Sequence, residues 1–240
     1  MSDNQNIIIT KETVQRLLSD VKDLIKNPLT DENIYYIHDD LDMLKGYALI
    51  IGPDDCIYEQ GAYFFEFNFP SDYPLQPPTV VYHTNDGKTR FNPNLYRNGK
   101  VCVSILNTWK GEQWTSCQTI RSVLMTLVTL FVDNPLLNEP GFTESNKSCK
   151  PYRNIIEYMN YKTAIHAMIT QRLINNNFLG FYPIIKAHAT KKKDEICSRL
   201  TNLVKSDKNG KEQYVSVYNM NLKLDYDTVL NEMNVALAAI

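Results

Sequence analysis

One thiol and one carboxamide, close together in the sequence, are the side chains best suited to chemistry. Cys102 lies in the apolar run 101–106, and Asn94 ends the turn sequence Asn92-Pro93-Asn94. Pro93 fixes its own φ and biases Asn92 away from the helical region, which stiffens the backbone that leads to Asn94. A thiol can act as a covalent nucleophile, and a side-chain amide can donate a hydrogen bond to a developing oxyanion. These residue types could therefore carry out covalent catalysis by a cysteine.

Two other interpretations of Cys102 remain open from the residues alone. Free cysteines are usually buried and chemically inert, so Cys102 could be a small core residue and Asn94 a turn former. A cysteine–histidine pair would need a histidine that only folding could bring near, because none lies close in the sequence. The chain has four histidines: His38, His83, His166 and His188. The local pattern does not by itself suggest a cysteine protease.

Length and composition limit the class of protein. The chain has 240 residues, 43% of them hydrophobic, and a formal net charge of −2, which fits one large domain or a domain with an extension. This charge gives no reason to expect nucleic-acid or membrane binding. Five cysteines without a Cys-x-x-Cys pair argue against a disulfide framework or a zinc site. The N-terminus lacks the features of a signal peptide, so we expect a soluble protein of the cytoplasm, or also of the nucleus.

The periodicity of the apolar residues predicts an α+β fold. Three-and-four spacing predicts an amphipathic helix over 10–27, with Thr10 as its N-cap and Pro28 at its end. Apolar runs bounded by turn residues predict four strands, at 34–38, 44–51, 63–69 and 79–82. Helical patterns follow at 118–132, 151–175, 183–206 and 225–240.

The segment around Cys102 resembles the active-site segment of ubiquitin-conjugating enzymes. The matching residues are Phe-Asn-Pro-Asn at 91–94 and Gly-Lys-Val-Cys-Val-Ser-Ile-Leu at 99–106. Further motifs of the family occur in the same order: Leu-Ile-Ile-Gly-Pro at 49–53, Phe-Pro-Ser-Asp-Tyr-Pro-Leu-Gln-Pro-Pro at 69–78, and Trp-Thr-Ser at 114–116. Asn92 stands where the family usually has histidine, and we expect it to shape the turn and not to face the thiol. This residue, the Asn-Glu-Pro-Gly-Phe sequence at 138–142 and the long tail resemble the larger subgroup that contains ubiquitin-conjugating enzyme Z.

The resemblance implies the fold and the reaction of that family. The implied fold is α+β, with an N-terminal helix, a four-stranded antiparallel meander and following helices in a core at 1–175. A helical extension at 176–240 would pack on the core or continue it. Cys102 would accept ubiquitin or a ubiquitin-like modifier as a thioester from an activating enzyme and pass it to a ligase cysteine or a substrate lysine. Asn94 would stabilise the oxyanion of lysine attack, directly or by holding the loop. Only the activating enzyme would use ATP, so no cofactor or metal is expected.

The same resemblance assigns roles to residues outside this segment. Arg16 matches a basic position through which the first helix contacts the activating enzyme, and we expect its side chain to be exposed. Three positions match ligase contacts: Leu75, Ser116 and Cys117. Two positions lie on the helix face that receives the linked ubiquitin: Met125 and Thr129. An acidic residue after that helix helps the incoming lysine to lose a proton; Glu139 and Asn138 are both candidates, and the Asn-Glu-Pro spacing favours Glu139.

Three classes of function compete on these observations. An active conjugating enzyme agrees with the presence of both Cys102 and Asn94. A catalytically weak or inactive member, acting as an interaction scaffold in the ubiquitin pathway, would be expected to lack the cysteine. An unrelated α+β interaction domain would share the layout but not the motifs at 91–106. The residues therefore favour an active conjugating enzyme.

Overall fold

The N-terminal helix forms between a polar cap and a proline, as its amphipathic sequence predicts. In the computed structural model, which describes residues 9–240, α1 spans Lys11–Lys26. The side-chain oxygen of Thr10 accepts a hydrogen bond from the backbone N–H of Thr13 at 3.1 Å, which satisfies one of the free donors of the first helical turn. The prediction about a signal peptide falls mainly on N-terminal residues that lie outside the described range.

Four strands form one antiparallel sheet in sequence order. They are β1 (Ile34–His38), β2 (Lys45–Ile51), β3 (Ala62–Asn68) and β4 (Thr79–Tyr82). Each strand pairs with the next, and Ala48 at the centre of β2 lies between Tyr36 and Phe65. The predicted meander is confirmed, because short apolar runs separated by turn residues are a local signal that the tertiary structure retains.

The sheet is buried on both faces. Ala48, Ile50 and Phe65 belong to the main core, which also contains the apolar faces of the helices. Leu49 and Phe64 point to the opposite face, since successive side chains of a strand alternate. That face forms a second core with apolar residues from later in the chain: Met168, Phe178, Phe181 and Ile185. The beginning of the extension, together with Met168 of the core, therefore covers this second face of the sheet.

The helix after the cysteine segment is shorter than its sequence predicts. α2 spans Ile120–Val128, whereas the apolar pattern predicts a helix over 118–132. Thr119 and Ser122 form a capping box at its start. The backbone N–H of Thr119 donates to the Ser122 hydroxyl at 2.7 Å, and the backbone N–H of Ser122 donates to the Thr119 hydroxyl at 3.2 Å. After the helix the chain closes in a tighter turn, in which the N–H of Phe131 donates to a carbonyl of the final helical turn at 3.1 Å. Leu130 and Phe131 are buried in this turn and not in a longer helix, whereas Val132 is exposed.

The remaining helices lie after α2 and in the extension. α3 (Cys149–Met159) continues through a π-helical segment (Asn160–His166) into a last turn, α4 (Ala167–Ile169). Three longer helices follow: α5 (Tyr182–Lys191), α6 (Lys193–Val204) and α7 (Tyr226–Ala238). The single helix predicted at 183–206 is thus two helices that meet at Lys192. Among residues 9–240, no helix combines the length and the apolar character needed to cross a membrane.

The extension is helical, as predicted, and it also contains a β-hairpin that the sequence pattern did not predict. β5 (Glu212–Val215) and β6 (Met220–Lys223) pair antiparallel, joined by a 3-10 turn at Ser216–Tyr218. Strands of four residues between polar turns carry little periodic signal. The hairpin forms because two of its side chains, Val215 and Met220, are buried in the main core.

Candidate active site

A buried asparagine holds the turn that precedes the cysteine. Asn92 is fully buried. Its Oδ1 accepts a hydrogen bond from the N–H of Asn94 at 2.9 Å, and its Nδ2 donates to the carbonyl of Leu130 at 2.8 Å. Asn92 therefore shapes the turn, as predicted, and also attaches the turn to the segment that follows α2.

Asn94 and Cys102 are joined by two hydrogen bonds. The backbone N–H of Cys102 donates to the carbonyl of Asn94 at 2.9 Å, and the side-chain Nδ2 of Asn94 donates to the carbonyl of Cys102 at 2.6 Å. Both residues are buried, with 2% of Cys102 and 8% of Asn94 exposed. This pair fixes the backbone that carries the thiol. Because a carboxamide nitrogen has two hydrogens, the Asn94 side chain keeps a second N–H beside the one bonded to Cys102.

Backbone contacts on both sides of Cys102 complete its placement. Leu95 forms an isolated antiparallel bridge with Val101. The hydroxyl of Thr108 donates to the carbonyl of Val101 at 2.9 Å and accepts from the N–H of Val103 at 3.0 Å. Since these bonds close the chain around the cysteine, the position of the thiol is set by the loop as a whole.

The four histidines make their polar contacts elsewhere. A ring nitrogen of His38 lies 3.0 Å from the carbonyl of Met43, and one of His83 lies 3.1 Å from the carboxylate of Glu66. A ring nitrogen of His166 lies 2.9 Å from the guanidinium of Arg172, and one of His188 lies 2.5 Å from the amide oxygen of Gln60. The geometry therefore offers no support for a cysteine–histidine pair at Cys102.

The contacts of Asn92 lead to a prediction about stability. Asn92→Ala should lower the free energy of unfolding by about 3 kcal/mol, because the N–H of Asn94 and the carbonyl of Leu130 both lose a partner while buried. For a chain of this size the melting temperature should fall by roughly 6 to 12 °C, which thermal unfolding followed by circular dichroism would measure. Asn98→Ala is the matched control, since its Oδ1 accepts only an exposed hydrogen bond from Lys100. Equal melting temperatures for the two variants would contradict the role given to Asn92.

The three positions assigned to ligase contact lie on two loops that are tied together. Leu75 is 69% exposed, and Ser116 and Cys117 are exposed as well. Trp114 lies just before Ser116 and Cys117, and its indole N–H donates to the carbonyl of Pro74 on the other loop at 2.7 Å. The structure thus joins the two loops and leaves all three side chains free to meet a partner.

Arg16 is not free on the surface, which corrects the expectation that its side chain is exposed. Only 22% of the side chain is exposed, and its Nε lies 2.9 Å from the carboxylate of Asp20. Its two terminal nitrogens donate to the carbonyls of Ser116, at 2.7 Å, and of Gln118. The guanidinium therefore attaches α1 to the loop that leads into α2, a contact between distant parts of the chain that helical periodicity does not reveal.

These contacts predict a loss of stability when Arg16 is replaced. Arg16→Ala should lower the free energy of unfolding by about 1–2 kcal/mol, because two loop carbonyls lose a charged donor that is itself partly exposed. Lys22→Ala, at an exposed position of the same helix, should change it by less than about 0.5 kcal/mol. Urea unfolding of both variants would decide. An Arg16→Ala protein with unchanged stability would restore the interpretation of Arg16 as a free surface residue.

The two positions assigned to ubiquitin contact lie on the solvent side of the second helix. Met125 is exposed on α2, and Thr129 is exposed at its C-cap. The hydroxyl of Thr129 donates to the carbonyl of Thr126 at 2.7 Å, so it closes the helix end as well. Both side chains remain accessible, and their part in ubiquitin contact remains a prediction.

Glu139 is held by a residue that sequence reasoning missed. It follows the 3-10 turn Pro135–Asn138 and is half-buried. Its Oε2 accepts a hydrogen bond from the hydroxyl of Tyr218, in the hairpin of the extension, at 2.8 Å. Asn138 is partly buried in the same turn, and both residues remain candidates for the proton acceptor. No local signal pairs Tyr218 with a residue so far away in the chain.

One group of carboxylates lies apart from this site. Oxygen atoms of Asp54, Glu59 and Glu195 lie within 4.8 Å of one another. Arg199 lies 2.6 Å from Glu59, and Lys192 lies 2.8 Å from Glu195. Lys192 also lies 3.7 Å from Asp54. Each of the three carboxylates therefore has a cation beside it, and the group is explained as a polar contact between α6 and the loop that joins β2 to β3.

Comparison with known proteins agrees with this geometry. Residues 16–164 match the family described as "Ubiquitin-conjugating enzyme". The chain is 36% identical over 198 residues to ubiquitin-conjugating enzyme E2 Z of Xenopus tropicalis, which covers 78% of this chain and 63% of that protein. It is 38% identical over 179 residues to E2 Z of Homo sapiens, a match that covers 70% of this chain and 50% of that protein. It is also 37% identical over 184 residues to the dual E2 ubiquitin-conjugating enzyme/E3 ubiquitin-protein ligase BIRC6 of Homo sapiens. That match covers 72% of this chain and 4% of that protein.

The matched range contains the site described above. It begins at Arg16 and runs beyond Glu139, so it includes the sheet, the Asn92–Asn94 turn and Cys102. The chain spans between half and just under two thirds of the two E2 Z relatives named here. The resemblance drawn from the motifs is confirmed, and so is the α+β fold that it implied. The chain belongs to the ubiquitin-conjugating enzyme family.

Proposed function

We propose that this chain accepts ubiquitin or a ubiquitin-like modifier on Cys102 as a thioester and transfers it onward. The two hydrogen bonds between Asn94 and Cys102 carry the proposal, because they hold the backbone of the thiol-bearing residue against a residue with an amide donor. In the first step the sulfur of Cys102 attacks the thioester carbonyl that joins the modifier's C-terminal glycine to the activating enzyme. A new carbon–sulfur bond forms and the old one breaks. The thiol of the activating enzyme leaves with the proton that Cys102 gives up.

In the second step an amine or a ligase thiol attacks the thioester on Cys102. With lysine, a carbon–nitrogen bond forms, the carbon–sulfur bond breaks, and the Cys102 sulfur takes up a proton as it leaves. The tetrahedral intermediate carries a negative oxygen, and loss of one hydrogen-bond donor to such an oxygen costs on the order of 10²–10³ in rate. The second N–H of Asn94 is suited to this role, and Glu139 is suited to accept the proton that the amine loses.

The exposed positions around the site suit the protein partners of this reaction. Ligase contact is proposed for Leu75, Ser116 and Cys117, and contact with the linked modifier for Met125 and Thr129. Contact with the activating enzyme is proposed for Arg16. The exposed part of its side chain would touch that enzyme directly, and its bonds to the loop before α2 would keep the loop in the shape that the enzyme binds. ATP would be consumed by the activating enzyme, so this chain would need no cofactor of its own.

A charging assay tests the proposal directly. The chain is incubated with an activating enzyme, ATP and ubiquitin, and the products are separated with and without a reducing thiol. The expected product is a ubiquitin adduct that a thiol removes and that does not form without ATP. A panel of activating enzymes and ubiquitin-like modifiers extends the test. The absence of any adduct across the panel would favour the alternative of an interaction scaffold.

A further inference from the structure

The hairpin of the extension contacts the turn that carries Asn94. The carbonyl of Tyr218 accepts a hydrogen bond from the guanidinium of Arg97 at 2.5 Å, and the sulfur of Met220 accepts one from the backbone N–H of Arg90 at 3.3 Å. The guanidinium of Arg90 lies between two aromatic rings, 3.3 Å from the ring centre of Tyr96 and 5.2 Å from that of Tyr218. A residue of the extension thus helps to hold two arginines that flank the Asn92–Asn94 turn.

Arg90 passes this support to the turn itself. Its Nε donates to the carbonyl of Asn92 at 3.1 Å, and its Nη2 donates to the carbonyl of Pro93 at 2.5 Å. Its own carbonyl accepts from the hydroxyl of Tyr152 at 2.7 Å. Because a guanidinium presents several donors in a rigid plane, holding that plane against the nearer ring of Tyr96 and the ring of Tyr218 fixes both carbonyls.

The hydroxyl of Tyr218 makes the second connection, to Glu139. The distance from this hydroxyl to Oε2 of Glu139 is 2.8 Å. Burial raises the pKa of Tyr218, and the hydrogen bond to the Glu139 carboxylate raises it further, so the phenol remains a neutral donor. A carboxylate has lone pairs on both oxygens, so Oε1 of Glu139 is left to accept another proton donor.

We propose that Tyr218 is a positioning residue for transfer to lysine: its ring steadies Arg90 behind the Asn92–Asn94 turn, and its hydroxyl orients the Glu139 carboxylate. The inference rests on the proposed function. In the step it serves, Glu139 accepts a proton from the ammonium group of the incoming lysine. The neutral amine then forms a bond to the thioester carbon, and its second proton goes to the Cys102 sulfur as that sulfur leaves. The extension thereby contributes a residue to the chemistry of the core.

Two substitutions of Tyr218 separate its hydroxyl from its ring. Tyr218→Phe keeps the ring over Arg90 and removes only the bond to Glu139. It should load ubiquitin within about twofold of wild type and discharge onto free lysine about tenfold slower near neutral pH, which corresponds to about 1.4 kcal/mol. Tyr218→Ala also removes the ring, so it should slow loading as well as discharge. Tyr214→Phe is the matched control, because Tyr214 lies on the same hairpin and is 59% exposed; it should behave like wild type.

The pH dependence of discharge distinguishes positioning from general structural support. Free lysine has a pKa of about 10.4, so at neutral pH nearly every attacking amine must lose a proton. As the pH rises from about 7 to about 9.5, more amine is already neutral, and the slowing by Tyr218→Phe should shrink to less than about threefold. A Tyr218→Phe protein slowed by the same factor at every pH, or not slowed at all, would overturn the inference.

A double substitution tests whether Tyr218 acts through Glu139. If it does, Tyr218→Phe combined with Glu139→Gln should discharge no more slowly than Glu139→Gln alone, since residues in one network are not additive. Additive slowing would show that the two act independently and would also overturn the inference. The proposed function fails in a different way: the wild-type chain itself would form no thiol-sensitive adduct.

Discussion

Replacing Cys102 with alanine should abolish the thiol-sensitive ubiquitin adduct, because the sulfur that forms the thioester is gone. We expect no other cysteine to substitute for it, since only Cys102 has the carboxamide of Asn94 bonded to its carbonyl, at 2.6 Å. Cys102→Ser should give a slower-forming oxyester that resists thiols, because an alkoxide is harder to generate than a thiolate. A non-reducing gel of the charging reaction, with and without added thiol, measures both outcomes.

The other cysteines supply the controls for this prediction. Burial raises the pKa of the Cys56 thiol to about 11, so it stays protonated and a poor nucleophile at neutral pH. Cys117 is the most informative control, because it is exposed whereas Cys102 is buried. Each of four single alanine variants should charge like wild type: those at Cys56, Cys117, Cys149 and Cys197. Charging by Cys102→Ala together with loss of charging by Cys117→Ala would show that exposure, and not the Asn94 geometry, selects the nucleophile.

Asn94→Ala should separate the two chemical steps. Loading passes an acyl group between thiols, with a good leaving group at each end, and should stay within a few-fold of wild type. Attack by lysine has a less favourable leaving-group balance and a more demanding oxyanion, so discharge should slow about 10²-fold, or roughly 2.7 kcal/mol. Single-turnover loading, followed by lysine discharge of the purified conjugate, measures the two rates.

The structure also shows how this prediction could be wrong. In the free protein one N–H of Asn94 already bonds to the Cys102 carbonyl, so Asn94→Ala loosens the loop as well as removing a donor. Asn92→Ala is the appropriate comparison, since it disturbs the same turn from a side chain that does not bond to Cys102. If Asn94→Ala slows both steps equally and lowers the melting temperature as Asn92→Ala does, Asn94 only holds the loop and the oxyanion role should be dropped.

Features that depend on neighbouring residues were predictable from the sequence. The cap at Thr10 is one example, because an N-cap hydroxyl reaches only the first turn of its own helix. The strands β1 to β4 are another, because alternation and turn residues lie within each short segment. The placement of Asn94 beside Cys102 belongs here too, since the stiff Asn92-Pro93-Asn94 turn leads into a short loop. These signals were sufficient for the family and the fold, and they also led to the proposal that Cys102 is the nucleophile.

Features that join distant segments were decided only by the tertiary structure. Arg16 lies on what looks like a solvent-facing stripe of α1, yet its guanidinium is taken up by loop carbonyls that come together only after folding. The hairpin of the extension carries a weak pattern and forms because its buried side chains complete the main core. The contact of Tyr218 with Glu139 depends on where that hairpin packs. The sequence by itself determined the placement of Asn94 beside Cys102, because the short turn that joins them is local. The support around that turn depends on long-range packing that no local pattern records.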